Sequence, residues 1–142
     1  MANIHSFAAT YGEARDKFLA AARVAGATLD RYDNPTKGPG GEALSTDVAR
    51  LGPDDANKVV VTISSTHGVE GYCGSGFQVD WLASVGASGL PEGTAALFVH
   101  AINPYGFAWT RRVTEEGERR PLDGRPTGVE DPDVGAALAR RL

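Results

Sequence analysis

The sequence contains few residues that could form disulfide or histidine-rich frameworks. Among 142 residues there is one cysteine, Cys73, and there are three histidines. A single cysteine excludes an internal disulfide and agrees with a reducing compartment. Disulfide-stapled scaffolds are therefore excluded.

Long apolar runs and basic clusters are equally scarce. No run approaches the length of a membrane span, and no basic segment followed by an apolar stretch marks a signal peptide at the N-terminus. The net charge is −4, and basic residues cluster only as the pairs at 111–112, 119–120 and 140–141. These features predict a cytoplasmic protein that binds neither a membrane nor nucleic acid.

The sequence does have the apolar content of one globular domain, with 42% hydrophobic residues. An apolar stripe with capping-box residues Thr10 and Glu13 predicts the first helix. The predicted elements are a helix at 7–25, a hairpin of strands at 27–32 and 44–48 across a loop at 34–41, a central strand at 59–64, a helix at 72–84 and a buried strand at 95–102.

The succession of apolar strand, helix and apolar strand predicts a right-handed parallel crossover. The expected fold class is α/β, with a mixed, largely parallel sheet flanked by helices. Ligands of such sheets bind beyond the carboxyl ends of the strands. The polar turns that begin near His67 and at Asn103 are therefore expected on one rim.

His67 and Glu70 are the candidate metal ligands on that rim. They lie three positions apart in the turn after the strand at 59–64, so an imidazole and a carboxylate could reach one zinc ion. The same tetrad also arises by chance, as a structural histidine beside a solvated glutamate. The spacing alone leaves both readings open.

Four colinear segments carry a family resemblance. They are residues 11–18 (YGEARDKF), 46–52 (TDVARLG), 67–71 (HGVEG) and 103–113 (NPYGFAW followed by TRRV). Together they resemble a functionally uncharacterised bacterial branch of the zinc carboxypeptidase superfamily, related to the succinylglutamate desuccinylase and aspartoacylase group. The resemblance covers about residues 4–113 and implies the N-terminal part of a zinc carboxypeptidase-like domain, followed by a divergent loop or disordered tail at 114–142.

The resemblance also implies roles for three residues. His67 and Glu70 match the first two zinc ligands, and Arg112 matches an arginine that stabilises the oxyanion of the tetrahedral intermediate. The implied reaction is zinc-dependent hydrolysis of amide bonds in small peptides or acyl-amino acids. The alternative for Arg112 is an arginine that solvates a loop or pairs with Glu115 or Glu116.

The departures from the family pattern concern the second half of the site. Residues 114–123 do not match the segment that grips the substrate carboxylate, and the third zinc ligand and the general base of the family are not found. His5 is expected at the surface and His100 in the core. The abrupt break after Val113 suggests a truncated or frameshifted relative, for which we expect at most weak zinc binding and possible self-association through an exposed apolar sheet edge.

Two other function classes remain open. The first is a hydrolase with Cys73 as nucleophile at a helix N-terminus, although a small buried cysteine is favoured because the spacing does not fit a nucleophile elbow. The second is a non-catalytic remnant or interaction module.

Overall fold

A computed structural model describes residues 3–117 of the chain. Within them the elements are a 3-10 turn at Ile4–Ser6, α1 (Tyr11–Val24), β1 (Thr28–Lys37), β2 (Ala43–Leu51), β3 (Lys58–Ile63), α2 (Glu70–Ser84), a 3-10 turn at Gly86–Gly89, β4 (Thr94–His100) and α3 (Pro104–Ala108). This order of longer elements agrees with the sequence prediction. Most of the predicted tail at 114–142 lies outside the described residues.

Local capping fixes the ends of α1. The Thr10 hydroxyl accepts a hydrogen bond from the Glu13 amide at 3.2 Å, which satisfies one of the free N–H groups of the first turn. Gly26 follows the last turn with φ of +77°, a conformation that favours glycine. The helix therefore begins at Tyr11, four residues later than the apolar stripe suggested.

The sheet has the strand order β1-β2-β4-β3. β1 pairs with β2 and β2 with β4 in antiparallel fashion, and β3 pairs with β4 in parallel. The α/β class with a mixed sheet is confirmed. Parallel pairing is limited to the β3–β4 crossover in the described sheet, whereas the sequence predicted a larger parallel share.

The sequence predicted that the strand at residues 59–64 is central. In the described sheet this strand lies at an edge instead, because β4 lies between β2 and β3. All seven residues of β4 are buried. β3 forms an edge, where Val60, Val61 and Ile63 are 53%, 40% and 55% exposed. A continuous β-branched run is typical of a strand covered on both faces, but that pattern carries no information about strand order.

The hairpin of β1 and β2 is confirmed, but its loop is shorter than predicted. β1 continues through Pro35 to Lys37, with an irregular register between Asp33, which pairs with Ser45, and Lys37, which pairs with Ala43. Proline is tolerated there because β1 is an edge strand of the described sheet, and the N–H group that proline lacks is not needed on the outer side of an edge strand. The predicted loop start at residue 34 is therefore wrong.

α1 and α2 pack side by side on one face of the sheet. The core between these helices and the sheet is a cluster of buried apolar side chains: Phe18, Ala21, Ala22, Ala49, Leu51, Val79, Leu82, Ala96 and Phe98. A second cluster, of Val48, Leu97 and Val99, lies on the opposite face. None of the described helices is long and apolar enough to cross a membrane.

The first two motifs of the resemblance meet through a buried polar network. Arg15 makes two hydrogen bonds to the Asp47 carboxylate, at 2.6 Å through Nε and 3.0 Å through Nη2. The Tyr11 hydroxyl donates to the Ser45 carbonyl at 3.0 Å and accepts from the Ser45 amide at 2.9 Å. These contacts attach α1 to β2, and they explain why polar residues occupy a buried strand.

Candidate functional site

The candidate site lies where β3 and β4 end. The Ile102 amide donates to the Ser64 carbonyl at 3.0 Å, and the Asn103 amide donates to the Ser65 carbonyl at 3.2 Å. The two polar turns therefore run side by side beyond the carboxyl ends of the parallel strands. The predicted common rim is confirmed.

Ser65 turns the chain out of β3 in an unusual conformation. Its φ is +61°, in the left-handed region that residues other than glycine seldom adopt. The residue is 4% exposed, and its hydroxyl donates to the Asn103 carbonyl at 3.5 Å. Conformations of this kind cluster at functional sites, where the surrounding contacts maintain them.

His67 and Glu70 come together after this turn. His67 Nδ1 and Glu70 Oε1 are 3.8 Å apart, with side-chain exposures of 27% and 62%. Glu70 is the first residue of α2, and Val69, the N-cap, offers no side-chain hydrogen bond to the helix. A carboxylate in this position is stabilised by the positive end of the helix dipole.

Two glycines in this motif allow close backbone packing. A Cβ atom at Gly68 would collide with the Gly106 carbonyl oxygen and with backbone atoms of Arg111. A Cβ at Gly71 would lie 2.6 Å from the Ser65 hydroxyl and 3.0 Å from the Phe107 ring. A larger residue at either position would therefore collide with the neighbouring turns, which explains the glycines around His67 and Glu70.

The segment that carries Arg112 is held against the His67 turn through its backbone. The Gly68 amide donates to the Arg111 carbonyl at 2.9 Å, and the Arg111 amide donates to the Gly106 carbonyl at 2.8 Å. The Arg111 guanidinium lies 5.9 Å from the centre of the Trp109 ring. Arg112, the next residue, is exposed.

The alternative partners expected for Arg112 do not engage it within the described residues. No ion pair joins Arg112 to Glu115 or Glu116 there, and Glu115 instead accepts a hydrogen bond from Asn34 at 3.2 Å. The backbone of Arg112 is therefore next to the segment that contacts Gly68, while its guanidinium is available to solvent.

Asn103 was not identified as a site residue from the sequence. It is 3% exposed, its side-chain oxygen accepts from the Gly106 amide at 2.8 Å, and its side-chain nitrogen donates to the Val113 carbonyl at 3.3 Å. The residue thereby caps α3 and ties the Arg111–Val113 segment to the rim. Asn followed by Pro is a recognisable helix start, which is the signal that could have shown its role.

The remaining histidines lie where the sequence placed them. His5 is exposed, and His100 is fully buried. The His100 Nε2 atom is 2.8 Å from the Ser75 hydroxyl, and its ring stacks on Phe18 at 4.5 Å. Burial lowers the pKa of His100 to about 4, so the ring is neutral near pH 7.

Cys73 is exposed, and the expectation of a small buried cysteine is wrong. The buried side of α2 includes Ser75, Val79 and Leu82. Cys73 lies two positions before Ser75 and therefore points to the other side of the helix. Within residues 3–117 no group of three or more His, Cys, Asp or Glu side chains could hold a metal ion.

Comparison with known proteins gives one family match. The family described as "Protein of unknown function (DUF2817)" matches residues 7–117. No curated protein matches the chain.

Several solved structures are similar over part of their length. A proposed zinc-dependent exopeptidase from Bacteroides vulgatus is 15% identical with a TM-score of 0.49, over 70% of this chain and 40% of its own. A zinc-dependent exopeptidase from Parabacteroides distasonis is 12% identical with a TM-score of 0.46, over 80% and 44%. Tannerella forsythia glutaminyl cyclase is 14% identical with a TM-score of 0.48, over 80% and 44%. The chain thus spans less than half the length of each of these proteins.

Proposed function

The chain belongs to the family described as "Protein of unknown function (DUF2817)", and from that premise we propose that it carries part of a zinc-dependent hydrolase site. His67 and Glu70 are its zinc ligands, and Arg112 is its oxyanion-binding residue. The substrates are small peptides or acyl-amino acids with an amide bond. The observation that carries the proposal is the 3.8 Å approach of His67 Nδ1 and Glu70 Oε1.

The two side chains fit one zinc ion. Zinc binds imidazole nitrogen and carboxylate oxygen at about 2.0–2.2 Å in a tetrahedral arrangement, which places two such ligand atoms about 3.3–3.6 Å apart. The separation of 3.8 Å is a few tenths of an ångström longer, a difference that small side-chain rotations would close, and both side chains are partly exposed to an approaching ion. When bound, zinc supplies Lewis-acid chemistry for amide hydrolysis.

Arg112 would bind the negative charge that develops on the carbonyl oxygen of the scissile amide. A guanidinium is permanently charged and offers several donors in a fixed plane, which suits this role. The backbone bond from Gly68 to the Arg111 carbonyl, at 2.9 Å, keeps the Arg112 segment next to the His67 turn. That contact supports a shared site.

Zinc affinity is the first experiment, measured by competition with a chromophoric chelator. We expect zinc to bind with a Kd above about 1 µM, because two protein ligands hold it less firmly than three. His67→Ala should abolish binding, and His5→Ala, which removes an exposed histidine elsewhere, should leave it unchanged. Binding that survives His67→Ala would refute the ligand assignment.

Hydrolysis is the second measurement, with zinc added, against acylated amino acids and short peptides. Arg112→Ala should lower kcat/KM by about 100-fold, whereas Arg111→Ala, which removes the neighbouring guanidinium, should have a much smaller effect. Equal losses in both variants would contradict the assignment of Arg112.

A non-catalytic remnant or interaction module is the second candidate function. It is favoured by one observation, namely that residues 3–117 contain no group of three metal-ligating side chains. In that case zinc would bind in a His67-dependent manner without any turnover of the same substrates. The two measurements together therefore distinguish the candidates.

A further inference from the structure

Within residues 3–117, no strand pairs with the backbone hydrogen-bonding groups on the outer edge of β3. The Lys58 and Ser64 amides donate to the carbonyls of Gly93 and Val99, so the even-numbered residues of the strand face β4. Backbone groups alternate along a strand, and those of Val59, Val61 and Ile63 therefore point away from β4. In the described sheet β3 pairs with β4 alone.

The two edges of the sheet differ in their protection against a further strand. β1 carries charged residues such as Arg31 and Asp33, a proline at position 35 and a register irregularity, which are features that block strand addition. β3 has no proline, no irregularity and one charge, Lys58, at its first residue. In the part of the chain that the structure describes, the β3 edge is therefore open to another strand, and the β1 edge is not.

An apolar groove accompanies the open edge. It lies between β3 and α2, has a volume of about 610 Å³, and is lined mainly by apolar residues that include Val60, Phe77 and Trp81. Phe77 is 59% exposed. A strand added to β3 would cover the side of this groove that now faces solvent.

β3 is complementary to itself in the antiparallel direction. If Val61 of one copy lies opposite Val61 of a second copy, Val59 faces Ile63 in both directions. The backbone groups of Val59, Val61 and Ile63 in each copy, which point away from β4, then exchange hydrogen bonds with the other copy. The two Lys58 side chains lie at opposite ends, each facing Ser64, whereas an in-register parallel pair would place them side by side.

We infer that the free edge of β3 is a dimerisation site at which a second copy of the chain adds its own β3, antiparallel, around a two-fold axis at Val61. Such an interface is isologous and closes after two copies. The axis is perpendicular to the sheet, so both α2 helices lie on the same face and the two grooves adjoin across the seam. The inference is independent of zinc binding and of hydrolysis.

Sedimentation velocity of the whole chain at several concentrations tests the inference. We expect a concentration-dependent monomer–dimer equilibrium. Val61→Lys should weaken dimerisation by at least about tenfold, because a lysine on an edge strand opposes pairing with its own copy. Val24→Lys places the same charge on a valine of α1 that is 86% exposed and should leave the dimer intact.

Amide hydrogen exchange of the unmutated chain gives a second readout that does not depend on how a variant folds. The amides of Val59, Val61 and Ile63 should become protected as concentration rises, while those of Val60 and Thr62 should be protected at every concentration. A chain that stays monomeric overturns the inference, as does a dimer in which the odd-numbered amides stay unprotected. Protection of these amides only after a different polypeptide is added would also overturn it.

Discussion

Removing one partner of the ion pair between Arg15 and Asp47 should destabilise the fold strongly, and the two ways of doing so should differ in cost. The side chain of Asp47 is 1% exposed and that of Arg15 is 18% exposed. The hydrogen bonds to Asp47 raise the pKa of Arg15 above its ordinary value, which favours the charged form of the arginine. Removing either partner leaves the other charge buried or partly buried without its counter-ion.

The expected magnitude follows from that difference in exposure. Breaking a buried ion pair costs roughly 3–5 kcal/mol of unfolding free energy. Asp47→Asn leaves Arg15 with some access to water, so its cost should be near the lower limit, about 3 kcal/mol. Arg15→Met leaves an enclosed carboxylate whose other donor is the Ser45 hydroxyl at 3.1 Å, so its cost should be near the upper limit.

Urea unfolding of both single variants and of the double variant measures these effects in a double-mutant cycle. We expect the double variant to be less destabilised than the sum of the single variants by at least about 2 kcal/mol. Arg31 and Asp33 form an exposed pair at 2.6 Å and serve as the control, with a coupling of less than about 1 kcal/mol. Additive effects at Arg15 and Asp47 would refute the reasoning.

Two further predictions concern His100 and the glycines. Because burial lowers the pKa of His100 to about 4, the unfolded chain takes up a proton near pH 6.5 while the folded chain does not. The free energy of unfolding should therefore fall by up to about 3 kcal/mol between pH 6.5 and pH 4. Urea unfolding at several pH values in that range should show a weaker dependence of this free energy on pH for His100→Gln, and an equal dependence would contradict the prediction. Gly68→Ala should lower the free energy of unfolding by about 1–3 kcal/mol, because the added methyl group collides with the Gly106 and Arg111 backbones. Gly12→Ala, with open space around it, should instead stabilise α1 by about 0.5–1 kcal/mol. Thermal unfolding distinguishes the two variants, and a Gly68→Ala variant of unchanged stability would show that the rim can move.

Local patterns in the sequence were sufficient for the elements and for part of the site. Apolar periodicity and the Thr10 cap located α1, and the spacing of His67 and Glu70 correctly indicated two side chains that could meet. Both features depend on residues no more than four positions apart, for which backbone geometry determines the contact. The common rim also followed, because it depends only on strand direction.

Long-range arrangement could not be read in the same way. Arg15 and Asp47 are 32 positions apart, and nothing in either segment shows that the two charges pair inside the protein. The β-branched run of β3 suits a central strand as well as an edge strand, so its exposure depends on where β4 inserts. Cys73 was misplaced because the apolar residues of α2 are spread around the helix, and its buried side includes polar residues such as Ser75 and Gln78.

The position of β4 has a consequence for how the chain folds during synthesis. β4 lies between β2 and β3, both of which precede it in the chain. Until residues 94–100 have left the ribosome, β2 can pair only with β1, β3 has no strand to pair with, and α2 has no complete sheet to cover. The β1–β2 hairpin can form early because its contacts are local, but the sheet becomes continuous only in one late step. A ribosome that pauses before residue 94 would thus hold two unconnected halves of a sheet, a state in which chaperone binding should be strongest.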